Sequence, residues 1–148
     1  MIKAKVLFLC TENSCRTQMA EAFLRDLSGD RFEIVSAGAD PGRIDPEAIS
    51  AMRELGIEMS GQAPKDVTRF LGQHFTFVIT LCDRQQERTC PIFPGAIWRH
   101  QWDLENPAHA EDRRSSVRRV RDQIRERVEQ FVSEHPENRR PKWKSKMS

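Results

Sequence analysis

Apolar runs alternate with helical patterns along the chain, which is typical of an α/β fold. Residues 5–9 and 75–81 are almost continuously apolar, like strands of a parallel sheet that is covered on both faces. Shorter runs at residues 32–35 and 97–101 are two further strand candidates. We therefore predict a single-domain α/β fold with a four-stranded parallel sheet and helices on both faces.

Helical patterns occupy the stretches between these strands. Residues 16–27 are the first, and residues 46–55 the second, with Pro46 in the first turn and Gly56 after the end. A short helix is predicted near residues 65–71 and a long one over residues 113–132. The long one places a stripe of apolar side chains on one face: Val117, Val120, Ile124, Val128 and Phe131. Its arginine-rich opposite face also carries carboxylates, which indicates a solvated surface and no nucleic-acid partner.

The length of the chain fits one domain. With 148 residues it is long enough for one ordinary core, and its net charge of +2 gives little information about partners. We expect the domain to cover residues 1–132. Residues 133–148 contain Pro136 and Pro141, several basic residues and little apolar material besides Trp143, so this tail is predicted to be disordered.

The cysteines are expected to be thiols. The N-terminal apolar run breaks at Glu12, too early for a signal peptide or a membrane span, so we predict a cytoplasmic protein without membrane contact. The cytoplasm keeps most thiols reduced, and the four cysteines therefore indicate reactive or buried thiols rather than structural disulfides. A monomer is the default for a chain of this size.

The segment Cys-Thr-Glu-Asn-Ser-Cys-Arg-Thr, residues 10–17, joins the first predicted strand to the first predicted helix. Backbone N–H groups of such a loop and the helix N-terminus converge on a tetrahedral oxyanion, and they are expected to lower the pKa of Cys10. Arg16 supplies a planar fork for two oxygens. The candidate oxyanion-binding residues are Thr11, Glu12, Asn13, Ser14, Cys15 and Arg16.

The same Cys-x5-Arg spacing occurs between Cys82 and Arg88, in a different context. Carboxylates stand there where an anion would sit, and Cys90-Pro91 follows where a helix would be needed. Only the segment that begins at Cys10 has the features of an oxyanion loop.

These residues resemble the low-molecular-weight protein tyrosine phosphatase fold, and more closely its arsenate reductase branch. The likeness is strongest in Cys-Thr-x-Asn-Ser-Cys-Arg-[Ser/Thr]-Gln-Met-Ala-Glu at residues 10–21. It continues through Ser-Ala-Gly at 36–38, Val-Ile-Thr-Leu-Cys at 78–82, Cys-Pro at 90–91 and the final helix. It covers about residues 3–132.

The resemblance implies arsenate reduction, for arsenic detoxification, by a relay of three thiols. Cys10 would attack arsenate, Cys82 would attack Cys10 and release arsenite, and Cys90 would then attack Cys82 and regenerate Cys10. Phosphate or sulfate would be analogues of the substrate, and no cofactor is implied. Thioredoxin is the expected electron donor, although other branches use glutathione or mycothiol with glutaredoxin-type reduction.

Neighbouring residues take roles from the same resemblance. The Thr17 hydroxyl would bond the Cys10 sulfur, and Asn13 would orient the loop. Some relatives hold potassium beside this loop, at positions that correspond to Asn13, Glu21 and Ser36. Ala63 and Lys65 stand where further oxygen ligands would be needed, so we predict no metal and expect the Lys65 ammonium to replace the cation. Cys15 is expected to be a packed loop residue.

One departure concerns the general acid. The family has an Asp-Pro pair before the last helix, whereas this chain has Asn106-Pro107. An amide cannot donate a proton to a leaving group. Either Asp103 or Glu105 therefore acts as the acid, or the displaced oxygen already carries its proton when it leaves the arsenic. A phosphate monoester lacks the second route, and the departure therefore weighs against phosphatase action.

Two alternatives stay open at this stage. A phosphatase acting through Cys10 would need an aromatic wall for its substrate, but the chain has no tyrosine, and Trp98 and Trp102 are expected in the core. The other alternative is a non-enzymatic redox sensor or adaptor that recruits partners through the basic tail.

Overall fold

The computed structural model describes residues 3–83 and 91–135. Four strands, three α-helices and two 3₁₀ turns alternate along this part of the chain. In order they are β1 (Ala4–Cys10), α1 (Arg16–Ser28), β2 (Phe32–Gly38), α2 (Pro46–Arg53), a 3₁₀ turn (Val67–Phe70), β3 (Phe75–Cys82), β4 (Ala96–Asp103), a second 3₁₀ turn (Pro107–His109) and α3 (Arg113–Glu134). The four predicted strands are confirmed, each one to three residues longer than its apolar run at one end or at both.

The strands form one parallel sheet in the order β2-β1-β3-β4. The register pairs Leu9 with Thr80 and Cys82 with Asp103. Because all four strands run the same way, their carboxyl ends lie along one edge of the sheet. Cys10, at the end of β1, and Cys82, at the end of β3, are therefore on neighbouring strands at that edge.

The three α-helices pack against one face of the sheet. Val6 and Phe8 of β1 share the larger core cluster with α1, α2 and the stripe of α3. The opposite face, which includes Leu7 and Leu9, is covered by Val67 and Phe70 of the 3₁₀ turn. The predicted helix over residues 65–71 is therefore only this single turn, and the other three predicted helices are confirmed within two residues at each end.

Trp98 and Trp102 were both predicted in the core, and only one of them lies there. Trp102 is 6% exposed and packs against Phe8, with the ring centroids 5.9 Å apart. Trp98 is 61% exposed, so that prediction was wrong. β4 is an edge strand, with a neighbouring strand on one side only.

The arginine-rich face of α3 is tied to α2 by ion pairs. Arg118 and Arg121 both bond Glu54, which follows the last residue of α2, and Arg121 also donates to the Ala51 carbonyl at 2.9 Å. The hydrogen bonds from Arg118 and then from Arg121 lower the pKa of Glu54 to about 2. These arginines thus join two helices.

Two predictions concern, in whole or in part, residues outside the ranges that the structure describes. Cys90, and the predicted tail from residue 136 onward, lie outside the described residues. Within residues 3–83 and 91–135, no helix combines the length and the apolar character needed to cross a membrane.

Candidate active site

The loop between Cys10 and Arg16 is held by the segment that follows β2. The carbonyls of Cys10, Thr11, Glu12 and Ser14 accept backbone N–H bonds of 2.7–3.2 Å from residues 39, 40, 42 and 45. In a planar trans peptide the N–H points away from the C=O. Fixing these carbonyls outward therefore turns the amides of residues 11, 12, 13 and 15 toward the inside of the loop, where an oxyanion would be bound.

Gly38 makes this close approach possible. A Cβ at residue 38 would lie 2.6 Å from the Thr11 carbonyl oxygen and 3.0 Å from the Asn13 nitrogen. Only glycine leaves room for the loop at this point. The Ser-Ala-Gly motif was noticed in the sequence, but the sequence does not show which backbone presses on its last residue.

The Cys10 sulfur receives hydrogen bonds from two neighbours. The Asn13 N–H donates to Sγ at 2.9 Å, and the Thr17 hydroxyl lies 3.1 Å from it. The Thr17 contact has the geometry that its predicted role requires, whereas Asn13 was predicted only to orient the loop. Asn13 also donates from Nδ2 to the Thr17 oxygen at 2.8 Å.

Burial dominates the titration of Cys10. The residue is 3% exposed, and this burial raises the pKa of its thiol; the Thr17 hydrogen bond, the Arg16 charge and the amides of Asn13 and Glu12 act in the opposite direction. The prediction of a lowered pKa was therefore wrong, because the motif reveals the donors but not the depth at which they lie.

Cys15 is a packed residue of the loop, as expected. It is 8% exposed and carries a free thiol, and burial, followed by the nearby Asp45 carboxylate, raises its pKa to about 12. It therefore stays protonated at neutral pH. Its backbone amide faces into the loop.

Arg16 links the loop to the segment after β4. Its side chain is almost fully buried, and Nη1 donates to the Leu104 carbonyl at 3.1 Å. This bond brings residues 103–107 beside the Cys10 loop. Asp103, at the end of β4, is exposed and paired in register with Cys82.

The other two acid candidates already have local partners. Glu105 Oε1 accepts from Arg119 Nε at 2.7 Å. Asn106 Oδ1 accepts from the Ala108 N–H at 3.1 Å and thereby caps the 3₁₀ turn. Neither contact provides an acidic proton inside the loop. The ion pair of Glu105 with Arg119 could not be read from the sequence, because Arg119 lies 14 positions further along the chain, on α3.

Cys82 is fully buried at the end of β3, and its carbonyl accepts from the Leu104 N–H at 2.9 Å. Cys10 and Cys15 are free thiols, whereas Cys82 is disulfide-bonded. Cys82 and Cys10 thus lie at the same edge of the sheet, while Cys90 is outside the described residues.

Lys65 lies where the resemblance places a cation. Its ammonium is 3.7 Å from Glu21 Oε1 and donates to the Ala63 carbonyl at 2.8 Å. Glu21 also pairs with Arg25 and accepts from the Ser36 hydroxyl. Two positive charges already face this carboxylate, so the residues do not fit a resident metal ion.

Comparison with known proteins places these features in a family. Residues 5–140 match the model of the low molecular weight phosphotyrosine protein phosphatase family. An arsenate reductase of Shouchella clausii is 38% identical over 136 residues, which cover 89% of this chain and 97% of that protein.

Solved structures agree with this. An arsenate reductase in its phosphate-binding state has a TM-score of 0.73 and 34% identity, with 88% of this chain and 98% of that one covered. A thioredoxin-dependent arsenate reductase of Corynebacterium glutamicum has a TM-score of 0.66 and 28% identity, over 90% of this chain and 64% of that one.

Proposed function

Since the chain belongs to the low molecular weight phosphotyrosine protein phosphatase family, we propose that it uses the family's oxyanion loop for arsenate reduction. The observation that carries this proposal is that Cys10 and Cys82 are the last residues of two neighbouring strands, at the carboxyl edge of the sheet. A phosphatase needs only the loop cysteine. A second cysteine on the neighbouring strand adds a path from the loop adduct to a disulfide.

The first step replaces an arsenate oxygen by sulfur. The Cys10 sulfur bonds to arsenic, and the hydroxyl of HAsO₄²⁻ leaves as water with the proton of the Cys10 thiol. The inward amides and Arg16 would hold the remaining oxygens. Because the thiol itself brings the proton, this step needs no general acid, and that agrees with a raised pKa at Cys10 and an amide at residue 106.

The next steps carry the electrons. The Cys82 thiol attacks Cys10, the arsenic–sulfur bond breaks, and its electron pair stays on arsenic, which leaves as arsenite with the Cys82 proton. The Cys90 thiol then attacks Cys82 and releases Cys10 as a free thiol. A disulfide-bonded Cys82 with a free Cys10 is the arrangement that this sequence of steps leaves at its end.

A dithiol protein must then reduce the disulfide, and we propose thioredoxin, the donor named for the Corynebacterium glutamicum relative. Cytoplasmic location and a monomeric state belong to the same proposal. Arsenite release by purified protein with arsenate, thioredoxin, thioredoxin reductase and NADPH, measured beside p-nitrophenyl phosphate hydrolysis, tests it. Hydrolysis of the ester without arsenite release would favour the phosphatase, and neither activity would favour a sensor or adaptor.

Restoring the family's acid should separate the two chemistries. Asn106→Asp is expected to raise p-nitrophenyl phosphate hydrolysis by about 100-fold, the effect of a positioned general acid, and to change arsenate turnover by less than about threefold. The new carboxylate keeps an oxygen for the cap of the 3₁₀ turn. Glu105→Gln is the control. If ester hydrolysis is unaffected by Asn106→Asp but lost in Glu105→Gln, Glu105 is the acid.

We also propose that the Lys65 ammonium takes the place of a cation beside Glu21. Lys65→Ser should therefore make the melting temperature and the arsenate turnover depend on potassium, because the Glu21 carboxylate loses one of its two positive partners. Thermal unfolding in potassium chloride and in tetramethylammonium chloride at equal ionic strength measures this. Equal melting temperatures in the two salts would contradict the role, and Lys5→Ser on the surface is the matched control.

A further inference from the structure

The hydrogen bonds that Cys10 receives depend on the conformation of Asn13. This residue has a φ of 55°, and it is the single non-glycine residue with a positive φ in the part of the chain that the structure describes. The left-handed region is unfavourable for a residue with a Cβ, so contacts must hold it there. In this conformation its N–H reaches the Cys10 sulfur at 2.9 Å.

Gln18 makes those contacts. Its Nε2 donates both to the Asn13 carbonyl at 2.9 Å and to Asn13 Oδ1 at 3.1 Å, and the residue is fully buried. A glutamine at the third position of a helix commonly reaches back to accept the N–H of the N-cap residue. Gln18 occupies this position in α1 but instead donates to a residue two places before the Cys15 cap.

A backbone group fixes the orientation of the Asn13 amide, and with it the direction of the Asn13–Thr17 bond. The Lys65 N–H can only donate, and it donates to Asn13 Oδ1 at 2.9 Å, so Asn13 Nδ2 must be the group facing Thr17. The Thr17 oxygen accepts from that amide. Its single hydrogen is not used in that bond and can be donated to the Cys10 sulfur, 3.1 Å away.

Gln62 fixes Gln18 in the same way. Gln62 Nε2 donates to the Gln18 backbone carbonyl at 3.0 Å and to Gln18 Oε1 at 2.8 Å, while Arg25 donates to Gln62 Oε1 at 2.9 Å. With its oxygen held by Gln62, Gln18 presents its NH₂ group to Asn13. Gln62 itself is half-buried, on the segment between α2 and the first 3₁₀ turn.

We propose that Gln18 is a positioning residue for the Cys10 nucleophile, with Gln62 as its support. It holds Asn13 in the left-handed conformation that aims the Asn13 N–H and, through Thr17, one hydroxyl hydrogen at the sulfur. The inference rests on the proposed role of Cys10 as nucleophile. It adds a dependence of the reactive thiol on two amides that do not touch the substrate.

The test compares Gln18→Met and Gln62→Met with Gln73→Met. Methionine keeps the approximate side-chain volume and removes the N–H donors, and Gln73 is an exposed residue whose side chain bonds only to Lys5 among the described contacts. The readout is the pH profile of Cys10 alkylation by iodoacetamide in the fully reduced protein. Trypsin releases residues 6–16 as one peptide, in which fragment masses separate Cys10 from Cys15.

Gln18→Met should move the alkylation midpoint up by about one pH unit, which means about tenfold less thiolate below the midpoint. Arsenate kcat/KM should fall by a similar factor. Gln62→Met should raise the midpoint by a smaller amount, so that the thiolate population below the midpoint falls about two- to threefold. Gln73→Met should leave the midpoint unchanged. A residue that served only stability would lower the melting temperature and leave the midpoint in place.

An unchanged midpoint in Gln18→Met would overturn the proposal. If Gln18→Met does not fold, Gln62→Met decides the question. An alkylation midpoint in Gln62→Met equal to that of the parent protein would then overturn the proposal. The alkylation profile needs no arsenate, so a shifted midpoint in a protein without reductase activity would support the positioning role and reject only the proposed function.

Discussion

Cys10→Ser is expected to lose at least about 10⁴-fold in arsenate turnover and all measurable hydrolysis of p-nitrophenyl phosphate. A serine hydroxyl is a far weaker nucleophile than a thiol at neutral pH, and an arsenic–oxygen bond at residue 10 offers no sulfur for Cys82 to attack. The side chains are nearly isosteric, and Thr17 and the Asn13 N–H can bond the serine oxygen. The fold should therefore survive, as a melting curve would show.

Cys15→Ser is the matched control for this variant. It makes the same change in the same loop, on a free thiol that is also buried, and it leaves the backbone amides in place. It should therefore lose far less activity than Cys10→Ser. Turnover above about 1% of the parental rate in Cys10→Ser would remove Cys10 from the role of nucleophile.

Cys90→Ser should release about one arsenite per enzyme molecule and then stop with Cys10 joined to Cys82. Cys82→Ser should release none unless a small thiol is added. The relay explains both results, because Cys82 expels arsenite and Cys90 only frees Cys10. Quenched single-turnover assays, with mapping of disulfides by mass spectrometry, distinguish the two variants.

Any phosphatase activity should survive both substitutions, since ester hydrolysis needs neither Cys82 nor Cys90. It is therefore the internal control that each variant is folded. Equal steady-state turnover of Cys90→Ser and the parent would remove Cys90 from the relay. Arsenite release by Cys82→Ser without added thiol would remove Cys82 from it.

The sequence by itself determined the elements and the loop. Apolar runs over β1 and β3 and the stripe on α3 specify the sheet and the longest helix. Burial on both faces of a strand leaves a continuous apolar run, and burial of one face of a helix leaves apolar residues at helical spacing. The motif at residues 10–21 likewise predicted that Cys10 and Arg16 share one loop, since local chain geometry brings a loop and the helix after it together. The role of Thr17 was predicted from the family resemblance.

Tertiary structure decided what depends on distant residues and on depth. Burial raises the pKa of Cys10 against the donors that the motif displays, and the short pattern over residues 65–71 folds as one 3₁₀ turn. Trp98 is exposed, because its strand lies at the edge of the sheet. Gln62 is joined to Gln18 across 44 positions of sequence, and Lys65 to Asn13 across 52. Neither desolvation nor such long-range partners leave a local pattern in the chain, so they became visible only when the strands and helices were packed together.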